Sequence, residues 1–365
     1  MKKMRLIALL LALVTVLSLL TACGKKEEII AEAPDIQMEI DRPEPEPVVE
    51  EPKILNPLTG EEVTEEVRAR RPYAIMLNNL SAALPQHGNS QADIIYEVLA
   101  ESGITRMLGV YQDVADVGNI GSIRSARHYY IELAQGHDAV YIHAGGSPQA
   151  YNMLYSGVID YVDGVNGSLG SIVFYRDKSR SANGYAYEHT LFTSGERLTE
   201  HVDSIESMRH THEEGYAYPL TFVEDGTPNG EAAVLIRATF KGGKKTSFQY
   251  DEALGKYLVF EYGSKYMDGN TSEQVGTENV LFLFTDVNNI AGDNKGRINV
   301  RTTGEGEGYF ACGGKYIPIQ WSRETVHDAF TYTLADGSAL ELGVGNSYVC
   351  VMPVSSEVEF LATAE

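Results

Sequence analysis

The sequence predicts an α+β fold, in which a layered, mixed α/β N-terminal half is followed by a mostly antiparallel, β-rich C-terminal half. Strand-like and helix-like segments alternate from about residue 71 to residue 207, whereas short β-rich runs separated by glycine-containing turns follow from about residue 216. About 310 residues from Lys53 onward are enough for one large domain or two ordinary ones. We divide them into an N-terminal domain at residues 53–215 and a C-terminal domain at residues 216–365.

Apolar runs and serine caps define the elements of the first half. Buried strands are predicted at residues 73–77, 107–111 and 139–143. Helices are predicted at residues 125–135, 148–156 and 194–208. Each helix begins at a serine or directly after one, and a serine hydroxyl can accept a hydrogen bond from the first turn of a helix.

Short apolar runs and Asp-Gly or Asn-Gly turns define the second half. The runs that indicate strands lie at residues 234–240, 257–262, 280–284 and 348–352. Cys312 and Cys350 lie inside two strand-like runs. A disulfide between them is one interpretation, but we favour two buried thiols on separate strands.

The N-terminus has the layout of a bacterial lipoprotein signal sequence. A basic region at residues 2–5 precedes an apolar run at residues 6–20, and residues 20–23 (Leu-Thr-Ala-Cys) look like a lipobox. The run is too short to span a bilayer comfortably, although a transmembrane anchor with an incidental cysteine is the alternative. We therefore predict that residues 1–22 are removed and that acyl chains on Cys23 hold the protein in membrane lipid, at the outer face of the cytoplasmic membrane.

The mature chain is strongly acidic. Residues 24–52 contain ten acidic residues, three basic residues and five prolines, which is typical of an extended, self-repelling segment, so residues 23–52 are interpreted as a tether. Removal of residues 1–22 takes away three of the 29 basic side chains and none of the 51 acidic ones, which leaves a net charge of −25. This charge argues against nucleic-acid binding and requires any anion site to be a local basic pocket.

Several short sequence strings occur in order along the chain. They are NPLTG at residues 56–60, RPYAIMLNN at 71–79, ADIIYE at 92–97, GITR at 103–106, IRSAR at 123–127, HAGGS at 143–147 and the Glu188-His189 region, followed by a glycine-containing half around Trp321. Together they resemble the YerB-like lipoproteins, a bacterial family built from a domain of unknown function. The resemblance implies a layered α+β fold with a β-rich C-terminal portion, and it supplies no reaction. The chain departs from the family pattern at Gly121-Ser122, where a proline is expected after the glycine.

Three arginines are the candidates for ligand binding. Arg124 and Arg127 are three residues apart and would share a face in the first turn of the helix predicted at residues 125–135. Together with Arg106 and the free N–H groups of a helix start, they would suit a phosphate or a carboxylate. In the alternative interpretation the arginines form structural ion pairs with carboxylates, at Glu97, Glu101 or Asp113.

Glu97 and Glu101 are candidates for acid–base chemistry. They are four residues apart, a spacing expected to place both side chains on one side of either a strand or a helix. Two carboxylates on one face could act on a glycan or bind a divalent ion. The alternative is one solvated carboxylate and one partner for an arginine.

Two histidines and a serine complete the candidate set. His143 ends a predicted strand, and the turn at residues 144–147 places N–H groups and the Ser147 hydroxyl at a helix start, where an anion could bind. Ser147 could also be a nucleophile, but we favour a capping role for it, with Pro148 as the first helical residue. For His189, next to Glu188, a structural role is favoured over catalysis.

No metal site and no cofactor are predicted. The polar stretch of His210, His212, Glu213 and Glu214 lacks the spacing of a helical zinc motif and is interpreted as a solvated linker. The sequence also contains no P-loop or dinucleotide-binding glycine pattern.

Two functions stay open at this point. We favour an extracytoplasmic, non-catalytic lipoprotein that binds a cell-wall polymer or an envelope protein through a cleft. The cleft would be bounded by the three arginines, Glu97 and residues 143–147. The alternative is a hydrolase or transferase of wall polymers, in which Glu97 or Glu101 works with His143 or His189.

Overall fold

The computed structural model describes residues 53–364, so the predicted signal peptide, Cys23 and the tether lie outside the described residues. Within this range the α-helices are short and belong to the first half. They are α1 (Glu65–Ala69), α2 (His128–Gln135), α3 (Pro148–Tyr155), α4 (Gly170–Val173), α5 (Lys178–Ala182) and α6 (Gly195–His201). Short 3₁₀ turns occur at Ser81–Ala83, Asn89–Gln91, Glu101–Gly103 and Tyr187–His189.

Strands occur in both halves. Those of the first half are β1 (Tyr73–Asn78), β2 (Ile94–Leu99), β3 (Thr105–Tyr111), β4 (Asn119–Gly121), β5 (Val140–His143), β6 (Tyr161–Asp163), β7 (Tyr175–Arg176) and β8 (Leu191–Ser194). Those of the second half begin with β9 (Thr221–Val223), β10 (Glu231–Ala232), β11 (Leu235–Thr239), β12 (Lys245–Asp251), β13 (Lys256–Glu261), β14 (Ser264–Lys265), β15 (Gly276–Thr277) and β16 (Asn279–Thr285). They continue with β17 (Val287–Asn289), β18 (Ile298–Val300), β19 (Gly304–Cys312), β20 (Lys315–Arg323), β21 (Thr331–Thr333), β22 (Glu341–Gly343), β23 (Ser347–Pro353) and β24 (Glu357–Leu361).

The largest sheet contains strands from both halves of the chain. Its order is β10-β20-β19-β16-β23-β2-β3-β1-β5-β6, with β21 paired to β20. Strand β23 lies between β16 and β2 and runs parallel to both, while β19 and β20 pair with antiparallel neighbours. The predicted α+β fold class is confirmed. The domain boundary between residues 215 and 216 stays a prediction, and it falls before β9.

The central strands are buried on both faces. Every residue of β1, β2, β3 and β23 is buried. A strand covered on both sides needs apolar side chains at successive positions rather than at alternate ones, which explains the continuous apolar runs in the sequence. Because side chains alternate along a strand, these same strands contribute to two separate hydrophobic cores.

A second sheet covers one face of the large sheet. Its order is β14-β13-β12-β11-β24, with β15 paired to β13. Phe248 of β12 lies in the core between the two sheets, with ring centroids 5.9 Å from Phe282 of β16 and 5.0 Å from Tyr348 of β23. Edge-to-face rings therefore connect the two sheets.

Helices α2 and α3 contribute to the core on the other face. The Tyr129 hydroxyl of α2 donates to the carbonyl of Leu99 at 2.9 Å, and the Tyr130 hydroxyl donates to the carbonyl of Arg106 at 2.7 Å. Trp321 of β20 is also buried in this core. Hydrogen bonds as well as apolar contacts thus hold α2 against the sheet.

Two predicted helices are shorter in the structure, for tertiary reasons. The helix predicted from residue 125 begins at His128, because residues 124–126 are extended and pair with the turn before α3. The helix predicted to end at residue 208 ends at His201. Just beyond it, the Asp203 carboxylate accepts a hydrogen bond from the Tyr73 hydroxyl at 2.5 Å and pairs with Arg70.

Both cysteines of the second half are buried free thiols, as predicted. Cys312 ends β19 and Cys350 lies in β23. Burial raises the pKa of both thiols, to about 11 for Cys312. Over residues 53–364, no helix combines the length and apolar character needed to cross a bilayer.

Replacing Phe248 with alanine should destabilise the fold. We expect Phe248→Ala to lower the free energy of unfolding by about 3–5 kcal/mol, because it leaves a cavity between the two sheets. The control Leu254→Ala removes a side chain that is 59% exposed and should change stability by less than about 0.5 kcal/mol. Urea unfolding measures both, and equal stability of Phe248→Ala and the wild type would refute the packing described.

Candidate functional site

Three arginines converge around one carboxylate beside α2. Arg106 lies on β3, Arg124 lies in the extended segment before α2, and Arg127 is the N-cap residue of α2. Glu101, in the 3₁₀ turn between β2 and β3, accepts hydrogen bonds from Arg127 Nε and from Arg106 Nη2, the latter at 3.4 Å. Arg106 Nη1 also donates to the Ser125 carbonyl at 3.0 Å. We call Glu101 and the three arginines the arginine cluster.

Positive charge exceeds negative charge in the arginine cluster. Burial, together with the charge of Arg127, lowers the pKa of Arg106 to about 10, and burial also lowers the pKa of Arg124. Burial acts to raise the pKa of Glu101, but the hydrogen bond from Arg127 and the charge of Arg106 outweigh it and lower that pKa. One ionised carboxylate therefore faces three guanidinium groups.

Several donors of the arginine cluster are unused. The Nε atoms of Arg106 and Arg124 are buried without a hydrogen-bond partner in the described part of the chain. Arg124 Nη1 donates to the Glu188 carbonyl at 3.3 Å and lies 3.9 Å from Glu188 Oε2, but the Glu188 side chain is 58% exposed, so solvent weakens this ion pair. Spare donors and surplus positive charge suit a phosphate or a carboxylate.

The turn between β5 and α3 lies directly against the arginine cluster. The Ala144 N–H donates to the Arg124 carbonyl at 3.0 Å, and the Ala126 N–H donates to the Gly145 carbonyl at 2.9 Å. The Ser147 hydroxyl accepts from the Ala150 N–H at 3.1 Å and caps α3. This geometry supports the capping role favoured for Ser147 over a nucleophilic one.

The expectation that Arg124 and Arg127 share one face of a helix is wrong. The Arg124 N–H donates to the Met76 carbonyl of β1 at 2.9 Å, which keeps Arg124 in extended backbone outside the helix. The two guanidinium groups are close through tertiary structure rather than through helical spacing, since each affects the pKa of Arg106.

The expectation that Glu97 and Glu101 share one side is also wrong. Glu97 faces the second sheet, whereas Glu101 binds arginines on the helix-covered face. Strand alternation ends at Leu99, and Ser102 within the following turn adopts a left-handed conformation with φ 61°. Glu97 is therefore not part of the cleft proposed from the sequence.

Glu97 belongs to a buried ion cluster between the two sheets, with Lys244 and Glu261. Lys244 Nζ lies 3.1 Å from Glu97 Oε1 and contacts Glu261 Oε2. Both carboxylates are fully buried. Three hydroxyl groups donate to Glu97 at 2.6–2.9 Å, from Thr105, Thr246 and Tyr348.

The ion cluster holds two carboxylates against one ammonium group. Burial and the charge of Glu97 raise the pKa of Glu261 to about 8. Burial acts to lower the pKa of Lys244, but the two carboxylates outweigh it and raise that pKa. Glu261 thus keeps a proton near neutral pH, and the cluster carries little net charge.

Sequence reasoning missed Lys244 and Glu261. Lys244 follows two glycines in what reads as an exposed hairpin turn, and Glu261 ends an alternating strand. The available signal was Glu97 itself, because a carboxylate inside an apolar run such as residues 94–99 needs a buried partner. The sequence does not say where along the chain that partner lies.

The two candidate histidines occupy different environments. His143 is fully buried, its Nδ1–H donates to the Gly145 carbonyl at 2.9 Å, and burial lowers its pKa. The Asn78 amide donates to His189 Nδ1 at 2.9 Å, and burial, with the charge of Arg124, lowers the pKa of His189. Among the described residues, neither histidine contacts Glu97.

The polar stretch at residues 210–214 is not simply a solvated linker. His212 Nδ1 lies 2.9 Å from Asp138 Oδ2, and the His212 ring stacks on Tyr216 with centroids 3.9 Å apart. Arg209 pairs with the same Asp138 carboxylate, so tertiary contacts order this stretch. Across residues 53–364, no group of three or more His, Cys, Asp or Glu side chains could hold a metal ion.

Comparison with known proteins identifies a family, a related protein and a related crystal structure. The family model described as the N-terminal domain of a protein of unknown function (DUF3048) matches residues 58–209, and the DUF3048 C-terminal domain matches residues 236–349. The putative lipoprotein YerB of Bacillus subtilis (strain 168) is 28% identical over 309 residues, which cover 82% of this chain and 87% of that protein. The crystal structure of the Bacillus subtilis YerB protein matches with a TM-score of 0.72 and 26% identity, covering 84% of this chain and 100% of that one.

The protonated state of Glu261 predicts how stability depends on pH. An acid whose pKa is raised on folding stabilises the protein below its ordinary pKa, and this contribution is lost as pH rises towards the folded value of about 8. Between about pH 5 and pH 8 this group alone lowers the free energy of unfolding by on the order of 3 kcal/mol. Buried His137, whose pKa burial lowers to about 3, acts in the opposite direction as pH rises towards the ordinary histidine value. Glu261→Gln should remove the contribution of Glu261. The difference in free energy of unfolding between the variant and the wild type should therefore change by this amount from pH 5 to pH 8, which urea unfolding at each pH measures.

A matched variant controls for the loss of a carboxylate. Glu357→Gln removes an exposed acid from β24 of the same sheet and should leave the slope of the pH profile unchanged. An equal slope in Glu261→Gln and the wild type would contradict the assignment of the proton.

Proposed function

The chain belongs to the DUF3048 family, and from that premise we propose that it is a membrane-anchored envelope lipoprotein that binds an anionic envelope component without catalysing a reaction. The similarity to a putative lipoprotein over most of both chains supports the class of protein. The Leu-Thr-Ala-Cys string at residues 20–23 supports anchoring through an acylated Cys23.

The observation that carries the binding proposal is the surplus of guanidinium groups in the arginine cluster. Basic side chains are the minority in this chain, 29 against 51 acidic ones, yet three arginines gather around Glu101. The charges of Arg127 and Arg124 act unfavourably on Arg106, and an anion that joined the arginine cluster would reduce this repulsion. Helix α2 adds to the attraction, because its N-cap residue Arg127 provides no side-chain acceptor for the first N–H groups. An anion at this position would gain charge-assisted hydrogen bonds.

The placement of the acid–base candidates supports binding rather than catalysis. A general acid or base has to reach the substrate within hydrogen-bonding distance. Glu97 is fully buried and paired with Lys244, and His143 is fully buried beneath the turn before α3. Glu101 is engaged by two arginines and stays ionised, which suits charge compensation better than proton transfer.

Changing the charge of the arginine cluster should change anion binding in both directions. We expect the double variant Arg124→Ala with Arg127→Ala to bind pyrophosphate at least about tenfold more weakly than the wild type, because it loses charge-assisted hydrogen bonds. Glu101→Gln should bind pyrophosphate more tightly, because it removes the competing carboxylate. Isothermal titration calorimetry at two salt concentrations measures both effects.

The control is Arg297→Ala, which removes an arginine paired with Asp293 in the β17–β18 hairpin. It should bind pyrophosphate as the wild type does. Circular dichroism establishes that each variant is folded. Unchanged affinity in a folded double variant would show that the arginine cluster is not the anion site.

Cys23 should be the site of lipid attachment. In a bacterial host we expect mass spectrometry to find a mature chain that begins at Cys23 and carries acyl chains, whereas Cys23→Ser should lack the acyl mass and retain residues 1–22. The control Cys312→Ser changes a buried thiol and should be processed normally. Identical processing and mass increments in Cys23→Ser and the wild type would exclude lipidation at this residue.

A further inference from the structure

A row of four aromatic rings runs from the protein surface towards the arginine cluster. Tyr155, at the end of α3, is 70% exposed and stacks on Tyr151 with centroids 5.4 Å apart. Tyr151 meets His143 edge-on at 6.4 Å, and His143 stacks on Tyr141 at 5.2 Å. We call these four residues the aromatic row.

Hydrogen bonds hold Tyr151, the second ring of the aromatic row, in place. The Tyr151 hydroxyl donates to Asp163 Oδ2 at 2.7 Å, and the Asn166 amide contacts the same hydroxyl. Asp163 Oδ1 accepts from the Gly145 N–H at 2.9 Å, in the turn that borders the arginine cluster. A ring fixed in this way loses little conformational freedom when a ligand stacks on it or beside it.

The inner end of the aromatic row adjoins the arginine cluster and has unmet hydrogen-bonding capacity. Burial raises the pKa of Tyr141, and the nearby charges of Arg127 and Arg106 oppose this shift. The Tyr141 hydroxyl, His143 Nε2 and Arg106 Nε are all buried, and none has a hydrogen-bond partner within residues 53–364. Unpaired buried polar atoms are costly, but atoms buried this deeply do not reach a ligand at the surface. Contact with a ligand therefore falls to the outer rings of the aromatic row.

Contacts around Gly145 connect the second ring of the aromatic row, Tyr151, to the segment that carries Arg124. Ser125 and Val165 both lie next to Gly145: a Cβ atom added to this glycine would be 3.5 Å from Ser125 Oγ and 3.7 Å from Val165 Cγ2. Ser125 is the neighbour of Arg124, and Val165 is 60% exposed beside Asn166, which contacts Tyr151. The exposed Val165 side chain and the segment that carries Arg124 therefore lie beside the same turn, at Gly145, which has no side chain.

We propose that the ligand of the arginine cluster is an anionic oligosaccharide, which stacks a sugar ring on Tyr155 and pairs its carboxylate or phosphate groups with Arg124 and Arg127. This inference rests on the proposed function and names its ligand class. A sugar presents C–H groups to the face of an aromatic ring and hydroxyl groups to polar neighbours, a combination that the aromatic row accommodates. Tyr155 lies at the end of α3 away from the turn that borders the arginine cluster, about 10 Å along the helix axis. Contact with both Tyr155 and the arginines therefore calls for several sugar units rather than one.

The test compares glycans and a small anion on the same purified full chain. The probes are hexagalacturonate for carboxylates, phosphorylated maltohexaose for phosphates, neutral maltohexaose, and inorganic phosphate. We expect at least one anionic glycan to bind more tightly than both neutral maltohexaose and inorganic phosphate in calorimetry, and the tighter of the two identifies the anion.

Substitution of Tyr155 separates stacking from charge. Tyr155→Ala should weaken binding of the anionic glycan about fivefold and leave inorganic phosphate binding unchanged, whereas Tyr155→Phe should restore glycan binding because it keeps the ring. Leu254→Ala, an exposed apolar residue between β12 and β13, is the control and should change neither. The arginine double variant should weaken both glycan and phosphate binding.

The two proposals fail in different ways. If Tyr155→Ala binds the anionic glycan as tightly as the wild type, or if inorganic phosphate binds as tightly as either anionic glycan, the oligosaccharide inference is overturned and anion binding stands. If none of the anionic probes binds the wild-type chain, the proposed function fails and the oligosaccharide inference fails with it.

Discussion

The position of β23 in the large sheet is the constraint on which the rest of the structure depends. It pairs in parallel with β2 of the first half and β16 of the second, so the two halves share one sheet. Strands that are buried on both faces need another layer of structure packed on each face. Here the second sheet packs on one face of the large sheet and helices pack on the other. The two faces of the same strands consequently carry different chemistry.

That difference is clearest at neighbouring charged residues. Glu97 points towards the second sheet, where Lys244 and a proton on Glu261 balance its charge and three hydroxyl groups satisfy its oxygens. Arg106 and Glu101 belong to the other face, where positive charge stays in excess. The closed, balanced cluster is typical of a structural role, whereas the unbalanced one is typical of a binding site.

Sequence reasoning succeeded where a signal is local and failed where a contact is distant. The apolar runs at residues 73–77 and 107–111 located β1 and β3 to within two residues, because burial on both faces leaves a continuous pattern. The helix start at residue 125 was misplaced, because hydrogen bonds to β1 and to the turn before α3 keep Arg124 extended. The sequence led us to expect that the three arginines lie close together. The pairing of Lys244 with Glu97 was missed, because the two residues are 147 positions apart in the chain and neither segment contains a pattern that indicates the other.

The late position of β23 in the chain also has a consequence for biogenesis. Until residue 353 has been synthesised and delivered, β2 has no partner on one edge, and β16 lacks the neighbour that joins it to the first half. An incomplete chain would expose unpaired apolar strands that can associate with other molecules. Folding of the first half is therefore coupled to the arrival of the second, which favours chaperoning or rapid elongation over stepwise assembly of separate halves.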